Sequence, residues 1–295
     1  MLKLLLVLTL ALSATLSATA GFGQDEAPRQ LWDSQFLKKR TPPKSPSAVP
    51  RKSTGYRRAT PKAEAIEETA NGEVVGLTIW RLRQARDADN KEARLLLQEE
   101  PGGEAAEFTP ERVESETPFA AGDRVRLSIE SPRDGYLYVI DREQYADGTL
   151  SDPYLIFPTM RNRNGDNAVK AGKVIELPGR SAFRLTPMRP DYQGEVLTLI
   201  VSATPLTEIK PGPGILKLDR ALLEVWEQKW RAPIERFELN GGAGTPYTKA
   251  EKEAGEDGSR LLTQEDELPQ TLFRVGPKPG NALLIPVSLK IVRKP

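Results

Sequence analysis

Between residues 122 and 158 the chain reads GDRVRLSIESPRDGYLYVIDREQYADGTLSDPYLIFP, three extended runs separated by two turns. In the first run Val125, Leu127 and Ile129 share one face, and Arg124, Arg126 and Ser128 share the other. That period of two predicts a strand with one buried face and one solvated face. Ser131-Pro132-Arg133-Asp134-Gly135 is the turn, with proline presetting φ and glycine accepting a backbone that a Cβ would resist. Residues 136–141 are apolar on both faces, which predicts a central strand. Residues 153–157, 173–177, 183–186 and 195–203 continue the pattern. The predicted fold is mainly β: an antiparallel β-sandwich with one packed helix and a C-terminal hairpin.

The flanking segments extend this plan. Val75, Leu77 and Ile79 alternate with Gly76, Thr78 and Trp80 in an upstream strand, and a short second one is expected at residues 94–98, closed by Pro101-Gly102-Gly103. Residues 71–295 are assigned to the sandwich domain, although the pattern leaves open whether residues 74–100 join the main sheets. One helix is expected over residues 219–231, capped by Asp219, carrying Leu222, Val225, Trp226 and Trp230 at helical spacing, and stopped by Pro233. Residues 240–267 are Gly-rich, then acidic, and are expected to form a mobile loop. Residues 270–275 are expected to pair with residues 283–292 across Gly276-Pro277-Lys278-Pro279-Gly280, with Pro286 marking an edge or bulge.

The N-terminus carries the pattern of a secretory signal: Lys3, an apolar run over residues 4–16, and the small-x-small site Ala18-Thr19-Ala20. At about 13 residues the run is short of the roughly 20 that a spanning helix needs. No later stretch is long and apolar enough to span, so no transmembrane segment is expected in the mature chain. Export to the periplasm or the extracellular space is expected. Residues 21–70 are read as a disordered, basic, Pro-rich linker, because Pro28, Pro42, Pro43, Pro46, Pro50 and Pro61 block regular structure. Residues 21–62 hold ten basic and three acidic side chains.

The chain has no cysteine and no histidine. Disulfides, a lipid-linked cysteine, Ser-His-Asp triads and Cys-His pairs are therefore excluded, along with the usual zinc ligand sets. Carboxylate chemistry, Ser-Lys pairs, tyrosine and oxygen-ligated cations survive.

GDRVRLSIES, then DGYLYVI, DGT and LIFPT, then the turn from Asn167 to Ala171-Gly172 and IELP, resemble a bacterial envelope family known as domain of unknown function 4384. The resemblance covers about residues 119–205. It implies an antiparallel β-sandwich of the kind found in exported proteins or fused to caspase-like peptidases, kinases and repeat domains, hence an accessory or interaction role. It carries no catalytic residues onto this chain. In the matched region Gly122, Gly135, Gly148 and Gly172 fall at turns, while Tyr136, Tyr138, Leu155, Ile156 and Phe157 supply core bulk.

Candidate sites are few. Asp141, Glu143, Asp147 and Asp152 crowd one loop that could hold calcium, yet the spacing departs from the helix-loop-helix pattern at the third ligand, and Asp147-Gly148 is an ordinary hairpin turn. Glu130, Asp134, Asp141 and Asp152 could pair for glycoside hydrolysis. Ser-x-x-Lys and Gly-x-Ser-x-Gly do not occur, and Asn240-Gly241-Gly242-Ala243-Gly244-Thr245 lacks the ending of a phosphate loop. Trp80, Tyr136, Tyr138, Tyr145, Tyr154, Trp226 and Trp230 could offer a stacking surface, with Tyr145 the one expected to be exposed. Arg124 and Arg126 on the outer strand face could meet acids of a partner.

The leading expectation is a non-enzymatic, exported module of the bacterial cell envelope that docks onto another envelope protein or an anionic surface polymer. Its binding surface would draw on Arg124, Arg126, Asp141, Glu143, Tyr145, Asp147 and Asp152. No cofactor or metal is expected, and nucleic acid is not, because aromatic side chains in the basic tail are sparse. A carboxylate-dependent hydrolase acting on cell-wall or extracellular polysaccharide is the alternative, and a structural envelope protein is a third reading.

Overall fold

The computed structural model describes residues 31–42, 72–98, 104–239, 242–255, 261–276 and 281–292. The expected signal at residues 1–20 and most of the linker lie outside the described residues. The strands in chain order are β1 (Glu73–Gln84), β2 (Leu95–Gln98), β3 (Ala105–Val113), β4 (Arg124–Glu130), β5 (Gly135–Tyr145), β6 (Tyr154–Phe157) and β7 (Ala168–Val169). They continue as β8 (Val174–Leu177), β9 (Phe183–Arg184), β10 (Tyr192–Ser202), β11 (Leu216–Lys217), β12 (Ile234–Glu238), β13 (Thr271–Val275) and β14 (Ala282–Lys290). Among the described residues two α-helices are set between strands: α1 (Arg220–Lys229) between β11 and β12, and α2 (Lys249–Gly255) between β12 and β13.

Two antiparallel sheets stack face to face. In the first, β1 is the hub. β4 runs along one side of it, while β13 and β3 divide the other, and β2 ends the sheet beside β3. β8 and β9 continue beyond β4. In the second, the order is β11-β6-β5-β10-β14. Of residues 74–100, the described part, 74–98, therefore belongs to the main sandwich. The space between the sheets is filled by the period-two residues, among them Val75, Leu77, Ile79, Val125, Leu127, Ile129, Leu137, Val139, Leu197, Leu199, Val201, Ile285 and Val287. Each fully buried side chain of this kind contributes about 1.5–3 kcal/mol. The outer face of the second sheet carries Tyr138, Ile140, Ile200 and Leu284, and α1 lies on it.

Helix α1 begins as expected, with Asp219 accepting the Ala221 N–H at 2.9 Å. Its buried residues are Leu223 and Trp226, whereas Val225 is 56% exposed, which corrects the expected face. Pro286 sits opposite Thr198 in β14, an edge strand, as the missing N–H requires.

Four further expectations need correction. The C-terminal hairpin over 270–292 does not form. β13 pairs with β1 and β12 in the first sheet, and β14 pairs with β10 in the second, so the two strands lie in different sheets. Both strands carry buried side chains on both faces, and that makes each fit a place between or beside other strands. The acidic stretch 240–267 is, where described, structured: α2 packs against β8, and Tyr247, Ala254 and Leu262 are buried. The backbone of Gly244 and Tyr247 bonds to Arg112 and Pro110 of β3.

The polar face of β4 is also not solvated. Arg126 and Glu130 are buried on it. Finally, residues 31–42 of the supposed linker pack on the body, with Trp32 and Phe36 buried against Val74 and Leu272. Arg40 clamps them: Nε and Nη2 donate to the two Glu130 carboxylate oxygens at 3.0 and 2.7 Å. Gly172 (φ +77°) lets this segment approach, because a Cβ there would meet the Lys39 carbonyl oxygen at 2.6 Å. The sequence pattern gives no strand at β3, because Pro110 and the glutamates around it interrupt the apolar alternation.

Candidate functional site

A cleft of about 830 Å³ opens on the flank of the first sheet. Leu95, Leu96 and Leu97 of β2 form one wall. Ile175 and Glu176 of β8, with Arg126 of β4, form the base. Wall segments 161–164 and 178–180 also line the cleft, as do Lys252 and Gly255 of α2. The first of these wall segments holds an unusual backbone. Arg163 (φ 55°), Asn164 (φ 53°) and Gly165 (φ 79°) are successive left-handed residues. Such a run in non-glycine residues costs about 1–2 kcal/mol each and is held by its surroundings. Here Gly165 N–H donates to the carbonyls of Thr159 (3.1 Å) and Asn162 (3.2 Å).

The cleft is basic. Among the described lining residues Arg126, Arg161, Arg163, Arg180 and Lys252 face one carboxylate, Glu176. Glu176 is already engaged, by Arg126 at 3.0 Å and by the Tyr247 hydroxyl, which donates to it. Arg126 also donates to the Gly179 carbonyl. Arg161 and Arg180 are exposed and form no ion pair among the described residues. Two buried donors, Arg126 Nε and Asn162 Nδ2, lack a partner among the described residues. A concave surface lined by one sign of charge concentrates the opposite sign, and guanidinium forks match carboxylate and phosphate oxygens in pairs.

Of the sequence-derived surface residues, only Arg126 belongs to this cleft. Arg124 lies over the Phe108 ring at 4.9 Å, outside it. Asp147 accepts from Thr149 N–H (2.9 Å) and hydroxyl (2.6 Å). Asp152 is bound by Lys217 and by Arg220 (2.5 Å), which hold its carboxyl below the usual range. Tyr145 is buried, contrary to expectation, with the Arg189 guanidinium 3.9 Å from its ring centre. The seven residues do not form one surface. Nor does the structure gather Glu130, Asp134, Asp141 and Asp152 into a catalytic pair. Glu130 is clamped by Arg40, Asp134 accepts the Ala171 N–H (3.0 Å), and Asp152 faces cations on the surface. Among the described residues no group of three or more acidic side chains is arranged to hold a metal ion.

Asp141 and Glu143 do come together with a residue that the sequence did not single out. Glu195 of β10 lies in register with Glu143, and both point to the inner side of the second sheet beside Asp141. The Tyr192 hydroxyl donates to Glu195 Oε1 at 2.6 Å, and Met188 N–H donates to Glu143 Oε1 at 2.8 Å. One oxygen of each carboxyl has no partner among the described residues. Burial, and then the neighbouring carboxyl Asp141, push Glu195 up to about 9. Burial also raises Asp141. A proton retained on this pair supplies the donor that its bare oxygens lack. The cluster is closed in by the sandwich, so it reads as a structural, pH-sensitive group and not as an open catalytic pair.

The expected family resemblance is matched: residues 118–205 fit the family described as Domain of unknown function (DUF4384). The match spans β4 to β10, under a third of the chain, and includes Arg126 and the 161–164 and 178–180 walls of the cleft, while β2 and α2 lie outside it. No curated protein and no solved structure matches this chain.

Proposed function

We propose that this chain is an exported, non-enzymatic binding module of the bacterial cell envelope that holds an anionic partner in the basic cleft. The supporting observation is the charge of the cleft: five cations around one carboxylate that is itself engaged by Arg126 and Tyr247. The signal-like pattern at residues 1–20 and the settings in which the matched family occurs support export and an accessory role. The hydrolase alternative has less behind it, because the candidate carboxyls are separately engaged or enclosed.

The test is titration of the chain from residue 21 onward with fluorescein-labelled poly-glutamate, read by anisotropy. The double variant Arg161→Ala/Arg180→Ala should weaken binding by about tenfold or more, and added salt should weaken the unsubstituted protein in the same way. Both side chains are exposed, so thermal stability should stay within about 0.5 kcal/mol. Equal binding by the two proteins refutes the cleft as the site.

A further inference from the structure

Strand β2, which lines the cleft together with the arginines, is an unpaired sheet edge among the described residues, and its backbone is oriented to pair. Among the described residues β2 pairs with β3 alone and ends the first sheet. The Glu107 carbonyl of β3, opposite Leu96, accepts the Ala85 N–H from the β1 side at 2.9 Å. In an antiparallel ladder both polar groups of a residue point to the same neighbour. Those of Glu107 therefore turn away from β2, and the Leu96–Glu107 pair is not hydrogen-bonded. The N–H and C=O of Leu96 must then face outward, and those of Gln98, two residues on, do the same.

The Arg94 carbonyl shares this direction, and it accepts Lys252 Nζ at 3.2 Å. Lys252 lines the cleft, so the outward edge of β2 is turned toward it. The Leu96 side chain is 68% exposed beside these groups. Long, apolar, uncovered edges are ordinarily blunted in folded proteins. This one is short, and it lines the same cleft as Arg161, Arg163 and Arg180.

We infer that the cleft takes an extended acidic peptide, which adds to β2 as a further strand through Leu96 while its alternate carboxylates meet the arginines of the cleft. This rests on the anionic-cleft reading above and deepens it. Backbone pairing would supply affinity, and the period-two spacing of carboxylates would supply selection. A flexible non-peptide polyanion could satisfy the arginines but not the Leu96 amide.

Two probes separate the cases: an end-blocked eight-residue peptide alternating Glu and Val, and inorganic polyphosphate. Each is titrated into the chain from residue 21 onward, with amide hydrogen exchange followed at Leu96. The expected result is peptide binding that slows Leu96 exchange at least tenfold. Leu96→Pro, which deletes the edge N–H at a position where an edge strand tolerates proline, should weaken the peptide at least tenfold and leave polyphosphate unchanged. A melting curve checks that the variant folds. Peptide bound without Leu96 protection, or polyphosphate bound in preference to it, overturns strand addition and leaves an anion cleft. If neither probe binds, strand addition and the cleft reading both fall.

Discussion

Arg40→Ala tests whether residues 31–42 are an integral part of the fold. The Arg40 and Glu130 side chains are 1% and 2% exposed, and their fork is bidentate. Arg40 Nη1 also donates to the Asp266 carbonyl at 2.8 Å, and the guanidinium sits 4.6 Å from the Trp32 ring centre. Removing one partner of a buried pair leaves the other uncompensated, at a cost of about 3–5 kcal/mol. With a urea dependence of about 2–3 kcal/mol/M for a chain of this size, the unfolding midpoint should fall by roughly 1–2 M. The loss should depend on pH in a set direction. Burial already raises Glu130, with Arg40 as the main opposing influence. Without Arg40 it rises further, so in the variant Glu130 folds in its protonated form at low pH. A raised carboxyl favours folding below its unfolded value and loses that contribution as pH climbs through the folded value. The destabilisation should therefore be smaller at pH 4.5 than at pH 8. Pairing the change with Glu130→Leu should recover much of the loss, since apolar replacements of buried pairs are often neutral. A midpoint shift worth under about 1 kcal/mol, equal at both pH values, refutes the clamp.

Two more outcomes follow from the buried groups. Glu195, raised to about 9, contributes stability that is complete below its ordinary value and lost as pH rises toward 9; wild-type unfolding free energy should decline from pH 5 to 9, Glu195 supplying at most about 1.4 kcal/mol per pH unit of that slope, and Glu195→Gln should flatten the decline. A variant whose pH profile matches wild type refutes the shared proton. On α1, Trp226→Ala should cost about 3–5 kcal/mol in urea unfolding and Val225→Ala under about 0.5, because Trp226 is buried and stacked on Trp230 while Val225 is exposed. Equal costs would mean that the helix buries a different face.

Local chemistry was legible in the chain. The alternation in β4, the two-sided apolar run in β5 and the long strand β10 were read from side-chain period, and Asp219 and Pro233 bounded α1 from capping and breaker rules. The family-like stretch was recognised from its motif order, and the matched residues 118–205 agree with it. The candidate site was far less legible. Arg126 stood out only as a polar-face residue, and Arg161, Arg163, Arg180 and Lys252 did not stand out at all, because scattered cations resemble any solvated surface until a fold gathers them. Glu195 was hidden inside an apolar strand for a similar reason.

Sequence alone settled that this is a chain of short amphipathic and two-sided strands without histidine or cysteine chemistry, since period and composition are properties of neighbouring residues. Tertiary structure decided which strands pair, what covers the polar face of β4, and where the cations meet. Those outcomes depend on contacts between distant segments, such as Arg40 with Glu130 and β13 with β1, whose energies no local pattern encodes.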